Sequence, residues 1–566
     1  MILNEFNTNK SKPRVDWQKL VCELQKTIKE MEERANQQQE SIRKLEESVK
    51  TQEEVIKRLK AELKKQKNLK DRPQIRASRI NSIQIGTEVE GQVKRAGSAK
   101  VSKKTTFEVD EERIIEPAEI LEGAKFKGYR DYDVQELIIK RHNIRFRLKE
   151  YIQEDGGLIV GELPEEYRQG HYGPKLVGHI LYQHYQCRVT QPILREQLEE
   201  WKIDISIGQL HNILVERQEE FHQEQEEVLE VGLKESAYIH TDDTGARHQG
   251  KNGYCTVIGN GFFTYFRSSE HKSRENFLEM LQGGKTIYVL NEYAKQYLQS
   301  QPLAAKYREQ IKYSDTVIAA DKTKWEAYLL SHEIISVKTK QMISEAALLG
   351  GAMSLGINPD LRILSDGAGQ FNILRHALCW VHAERSLRKL VGATLWEQEN
   401  IDEMQDLLWQ YYRSLKAYQQ TPTDMGKAHL LLAFAQIFDR SYLKQGLPKQ
   451  DLVNHEALNN VLRWFRTHKA ELLEVLELPS LPLHNNSAET DIREYVIRRK
   501  ISGGTRSDAG RRARDTFIGL KKTCRKLGIS FWQYLIARLC RDQKIPPLSD
   551  VMRSKIATAL QVSLAT

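Results

Sequence analysis

"SAYIHTDDTGARHQGKNGYCTVIGNGFFTYFRSS", residues 236–269, sets three apolar runs between glycine-bearing turns. "SAYIHTD", "GYCTVIGN" (253–260) and "GFFTYFRSS" (261–269) each read as a strand, and "KSRENFLEMLQ" follows as an amphipathic helix with Phe277, Leu278 and Leu281 on one face. Three strands and then a helix predict the opening of a mixed sheet. The strand that returns after such a helix runs parallel to an earlier one through a right-handed crossover. "DLRILSDGAGQF" (360–371) supplies that strand, and Asp366 ends its apolar run as Asp242 ends the first.

Parallel neighbours would bring Asp242 and Asp366 to one carboxyl edge, where sheets of this class place their sites. Converging carboxylates repel and desolvate each other, so they call for a cation. An oxygen-rich set suits magnesium or manganese. A third acid comes from "LPLHNNSAETDIREYVIRRK" (481–500), where Asn486 or Ser487 can cap a helix whose first turn holds Glu489. Such a trio can hold two divalent ions about 3.5 to 4 Å apart for phosphoryl transfer. Read from the residues alone, each carboxylate is more readily an ordinary cap, turn or salt-bridge acid.

At 566 residues the chain predicts three to four domains. No apolar run of about 18 residues is present to span a bilayer, and the N-terminus lacks the order of a secretory signal. The six cysteines form no C-x-x-C pair, which argues against a zinc ribbon and a disulfide framework and predicts a reducing, cytoplasmic setting. Charge is unevenly placed. Arg493 to Lys526 carries twelve Lys and Arg against three acids, a surplus equal to the net charge of +9 of the whole chain. Clustered cations of this kind suit a phosphate backbone.

Between Trp17 and Leu63 twelve of fourteen positions in alternating 4, 3 spacing are apolar, Gln38 and Gln52 being the exceptions, which predicts a coiled coil and a homo-oligomer. The polar, basic stretch that follows has no period and reads as a linker. "DVQELIIKRHNIRFRLKEYI" (133–152) alternates apolar and charged residues in the manner of a small hairpin. A helical pattern at 191–200, joined by "WKIDI" to another capped by Ser206, outlines a helix-turn-helix with Gln209, His211 and Asn212 at the exposed start of its last helix. A packed helical hairpin is an equal reading.

From Tyr172 to about Leu539 the sequence resembles the transposases of the insertion sequence 66 family, DDE enzymes with a ribonuclease H-like catalytic domain. The resemblance rests on "HYGPKLVGHILYQHYQCRVTQ", "HTDDT", "LSDGAGQF", "CWVHAERSLRKL" and "NNSAETDIREYVIRRKISGGTRSDAGRRARDTFIGLKKTCRKLGISFWQYL". It implies that Asp242, Asp366 and Glu489 are the catalytic, metal-binding triad holding two Mg2+ or Mn2+ ions, with Asp243 a neighbouring acid outside the metal site. It further implies double-stranded DNA, both element ends and target, as substrate. The longer interval between Asp242 and Asp366 implies an insertion near 283–360, which contains Asp321 as a rival second aspartate. The cysteine-rich zinc segment of many relatives has no cysteines here, so no zinc is expected, and Gly245 stands where proline is common.

The expected architecture is multidomain α/β: a coiled coil (14–66), a basic linker (67–106), a small β-rich domain (107–165) and a helix-turn-helix-like domain (166–230). A ribonuclease H-like mixed sheet flanked by helices (231–392) follows, then a helical insertion (393–480), a glutamate helix with a basic C-terminal region (481–545) and a tail (546–566). Arg493, Arg498, Arg499, Lys500, Arg506, Arg511, Arg512 and Arg514 are expected on DNA, although Arg493, one turn beyond Glu489, is slightly favoured to pair with it. His382 and Arg385 are candidates to line the site. The expected function is DNA cleavage and strand transfer in a bacterial-type, nucleoid-associated cytoplasmic setting, with accessory transposition proteins as further candidate partners. The alternatives are a catalytically silent DNA-binding regulator or domesticated transposase, and a nuclease without strand transfer.

Overall fold

Tyr238–His248 forms a long strand, β1, and turns through Gln249 and Gly250 into β2, Lys251–Gly259. Both turn residues have positive φ, 47° and 78°, the conformation that a two-residue hairpin needs to match strand twist. β2 pairs with β3, Thr264–Ser269, and two later strands, β4 (Arg362–Ser365) and β5 (Arg375–Leu378), complete a sheet of order β3-β2-β1-β4-β5. The first three strands are antiparallel, and β1, β4 and β5 are parallel. The expected mixed sheet is therefore present. One detail differs: β1 continues six residues beyond Asp242, because Thr244 to His248 stay paired with β2 after β4 has ended.

This computed structural model describes residues 109–118, 122, 124–168, 170–392, 394–440, 442 and 453–565, with Lys29, Gln39 and Glu40. Apart from those three positions, the expected coiled coil and basic linker lie outside the described residues. The chain divides into two units, 1–138 and 139–566, and the sheet belongs to the second. The stretch 124–149 carries neither helix nor strand; the expected hairpin begins only at Glu150–Ile152, which pairs with Leu158–Val160.

Helices cover both faces of the sheet. α1 (Gln191–Glu200) and α2 (Ile207–Val215) form the expected helical pair, and Ser206 and Gln209 close a capping box at the start of α2. α3 (Glu219–Glu235) leads into β1. After β3 come α4 (Arg274–Leu281) and the insertion, which holds a short antiparallel ladder, Tyr288–Val289 with Val317–Ala319, and ends in α5 (Val337–Ser354). α5 lies so close to that ladder that a Cβ at Gly350 would stand 2.1 Å from the Val289 carbonyl. Asp321 caps the helix Lys322–Ser331, its Oδ1 accepting from Lys324 N at 2.8 Å. The rival aspartate is thus a helix cap.

α6 (Trp380–Arg388) follows β5 and opens a second apolar core, in which Trp380, Leu387 and Leu378 pack with Leu408, Tyr411, Phe434 and Phe465 from the helices of the 393–480 region. The chain returns to the sheet as α7 (Asn486–Ser502) and α8 (Asp508–Leu527). Residues 546–566, expected as a tail, instead contain the helix α9 (Leu548–Ala565), which buries Leu548, Met552 and Ile556 against α3 and neighbouring elements.

Charged groups tie the early helices to α7. Arg188 grips Glu494 with two hydrogen bonds of 2.9 and 2.7 Å, and Lys521 of α8 donates to the same carboxylate at 2.6 Å. Burial alone would raise the Glu494 carboxyl, but the hydrogen bonds from Arg188 and Lys521 hold it at about 2. A depressed carboxyl contributes stability above its ordinary value and loses it as pH falls through the folded value. Glu494→Ala leaves two cations without their carboxylate and is expected to cost about 3–5 kcal/mol at neutral pH. Denaturant titration checks this: the difference from the parent chain should shrink as pH falls below about 4.5.

Candidate active site

Alternation along β1 sends Asp242 and Asp243 to opposite faces. Asp242 stands opposite Val257, which stands opposite Phe266, and this row faces Ala488 and Ile492 of α7 in a shared apolar cluster. Asp243 stands opposite Thr256 and Arg267, and that row lines a cavity of about 240 Å³ on the other side, with Asn276, Phe277 and Gln370. The face carrying Asp242 is therefore the face on which the Glu489 helix sits.

The partner strand delivers the second acid. β1 and β4 pair Tyr238 with Arg362 and His240 with Leu364, and the same register carried two residues further brings Asp366 beside Asp242. Just past β4, Gly367 turns with φ +96°, and Asp366 Oδ1 accepts from Ala368 N at 3.0 Å, so the side chain leaves the sheet on a fixed turn. The third acid is placed by Asn485. This fully buried residue precedes α7 and donates its amide to the Thr241 carbonyl at 2.8 Å, one residue from Asp242.

Burial pushes the Asp242 carboxyl up to about 7, and the charges of Asp366, Asp243 and Glu489 act the same way, against a hydrogen bond from Asp243 N to Asp242 Oδ1. Glu489 is faced by two residues of α6: His382 Nε2 lies 3.5 Å and Arg385 Nη2 lies 3.6 Å from its Oε1. Arg385 also donates to His382 Nε2 at 2.7 Å. Burial, and then Arg385, pushes the His382 imidazole below its ordinary value, in keeping with a neutral ring that accepts this hydrogen bond. Both residues expected to line the site therefore lie against Glu489. Arg493 makes no ion pair with Glu489; it is exposed, and the partner expected of it is supplied by α6 instead.

The donor set is three carboxylates, which suits a hard divalent cation. Among the described residues, no three His, Cys, Asp or Glu side chains close into a ready-made ligand group. A divalent cation placed among these carboxylates would help to ionise Asp242.

The basic candidates separate into two kinds. Arg498 is buried, donates to the His184 carbonyl at 2.5 Å and to its ring nitrogen, and stacks over Tyr185 with its guanidinium 5.8 Å from the ring centre. It is spent inside the fold and is not available to DNA, contrary to expectation. Arg512 forms two hydrogen bonds with Glu219, Arg514 donates to Gly503 O and Ser502 Oγ, and Arg511 pairs with Asp508 at 2.9 Å. The loop glycines serve the strand: Gly504 lies where a Cβ would meet Arg247 O at 2.4 Å, and Thr505 N donates to that carbonyl at 2.9 Å. Arg493, Lys500 and Arg506 are exposed and Arg499 half-buried, and none of these four has an ion pair among the described residues. In α2, Gln209 Oε1 is taken by Ser206 N and the Tyr172 hydroxyl, while Asn212 is exposed and His211 half-buried.

Sequence reasoning missed Lys272 and Gln370. Their side chains hold Asp243 Oδ2 at 3.0 and 2.7 Å. Gln370 stands inside the quoted "SDGAGQF" run, but only the fold reveals that it reaches β1.

Fold and site together define a mixed α/β protein with a carboxylate cluster at the junction of a parallel strand pair and a helix. The family described as transposase IS66 family matches residues 169–302 and 362–513, just over half of the chain. The chain is also 40% identical over 331 residues to the uncharacterized protein y4jO of Sinorhizobium fredii, an alignment covering 58% of this chain and all of that protein. The chain belongs to the IS66 transposase family. The unmatched stretch between the two segments falls largely within the expected insertion.

A raised carboxyl favours the folded state only while protonated, so its contribution is complete near pH 4 and is lost as pH rises through about 7. In EDTA at pH 8, Asp242→Asn should therefore melt several degrees above the parent chain. The gap should narrow as the pH is lowered toward 4, which a thermal melt series checks.

Proposed function

We propose that this protein is a DDE-type DNA transposase that cleaves at element ends and transfers the strand into target DNA. The observation that supports this most is the gathering of Asp242, Asp366 and Glu489 on one face of one sheet, in a chain of a transposase family. The mixed sheet is then its ribonuclease H-like core. Asp242, Asp366 and Glu489 would hold divalent magnesium or manganese, which when bound supplies a polarised water and neutralises charge on the reacting phosphate.

The chain's own residues do the rest. Asp242 gives up its proton near neutral pH, where a bound cation favours its ionised form. Arg385 holds Glu489 from α6, and His382 completes that wall as a neutral ring. Arg493, Arg499, Lys500 and Arg506 present cations on and just beyond the glutamate helix, within the stretch that carries the chain's positive surplus, and bind the DNA backbone. Asn212 and His211 of α2 are the remaining candidates to contact base edges, Gln209 being committed largely to its cap. A homo-oligomer formed through residues 14–66 would bring two element ends together.

The test is cleavage and joining of labelled element ends with Mg2+, comparing the parent chain with Asp366→Asn. Loss of at least about a thousandfold in both steps is expected if these carboxylates carry the chemistry. Equal activity in the two would exclude the assignment; no cleavage by the parent chain would leave a DNA-binding regulator, and cleavage without joining would leave a nuclease. DNA affinity separates the two kinds of cation. Lys500→Ala and Arg506→Ala should each flatten the dependence of log affinity on log salt by about one. Arg498→Ala should lower the melting temperature instead.

A further inference from the structure

The acid beside the first metal ligand is held from behind by the turn that carries the second. Asp243 Oδ2 accepts from Gln370 Nε2 at 2.7 Å and lies 3.0 Å from Lys272 Nζ, and its side chain is only 11% exposed. Its own N–H donates to Asp242 Oδ1 at 2.8 Å. One residue thus binds the Asp242 carboxylate through its backbone and the Asp366 turn through its side chain.

That turn is rigid. Gln370 lies in the single helical turn Gly369–Phe371, whose Phe371 is buried and packs edge-on against Phe277 of α4 at 5.0 Å. Arg274, also on α4, donates to the Gly369 carbonyl at 2.6 Å and to Glu345 of α5 at 3.2 Å, with Tyr297 completing the set at 2.8 Å. Glu345 and Tyr297 belong to the insertion. The turn after Asp366 is therefore braced from the insertion on one side and fastened to β1 on the other.

We propose that Gln370 and Lys272 are positioning residues that act through Asp243 to set the separation of Asp242 and Asp366 for metal binding. This rests on the functional reading above. β4 stops pairing with β1 at Leu364, two residues short of Asp366, so backbone hydrogen bonds alone do not fix the distance between the two carboxylates. The Gln370–Asp243 bond supplies the missing connection on the opposite face of the sheet, where it takes no coordination position. It also explains why an acid follows Asp242 without joining the site: turned the other way, Asp243 serves as an acceptor for two donors.

Outer-sphere partners of metal ligands commonly change metal affinity about 10–100-fold when removed. Gln370→Leu keeps size and removes the donor, and Gln370→Lys restores a donor of similar reach. Mn2+ binding to the DNA-free full chain, measured by electron paramagnetic resonance of the unbound ion, should require about tenfold more Mn2+ for half-saturation in Gln370→Leu. Gln370→Lys should recover most of that loss. Unchanged affinity in Gln370→Leu overturns the proposal, as does a loss that Gln370→Lys fails to restore, since the residue would then matter only through packing. Asp366→Asn in the same assay separates the two levels. If it binds Mn2+ as the parent chain does, the metal-site reading itself fails; if it loses binding while Gln370→Leu does not, only the clasp fails.

Discussion

The Asn485 amide, donating to the Thr241 carbonyl, is the contact on which the placement of the site depends. It seats the first turn of the Glu489 helix one residue from Asp242, and the alternation of β1 then decides which acid of the doublet faces that helix. A buried amide is held in place only if it is hydrogen-bonded, so this position resists sliding. The apolar row of Val257, Phe266, Ala488 and Ile492 fixes the distance between helix and sheet. Burial first, and then the neighbouring carboxylates, raise the Asp242 carboxyl, an electrostatic cost that packing elsewhere has to offset.

Much of the positive charge near that helix is structural. Arg498 and Lys521 are buried, and with Arg188 they bind the helical region before β1 to α7 and α8. The same helix that presents Glu489 is thereby anchored to the segment that carries α1 and α2. Its remaining exposed cations are left on the outer surface, so architecture and phosphate contact divide one basic stretch between them.

The three-strand opening, the parallel return strand and the helix bearing Glu489 were legible in the sequence, because period-two alternation and tight glycine turns are local signals; the expected cap was not, since Asn486 and Ser487 lie inside the helix and Asn485 precedes it without a side-chain cap. The register that turns Asp242 toward α7 was legible only as alternation; which of the two faces holds the helix depends on a residue 244 positions away. Net charge misread Arg498, since a run of cations looks the same whether it faces solvent or a buried carbonyl. Helix spacing favoured an ion pair of Arg493 with Glu489, where the distant Arg385 stands instead. Asp321 resembled a second site aspartate because a helix cap and a strand-end ligand both follow an apolar run. Gln370 carried no signal at all, as its partner lies 127 residues away.

The most direct measurement is anomalous diffraction from crystals of the full chain grown or soaked with Mn2+. The expected result is manganese density contacted by Asp242, Asp366 and Glu489, with Asp243 still bound to Gln370 and Lys272 on the other face. Manganese held by Asp243, or by a group that omits Asp366 or Glu489, would contradict the placement of the site.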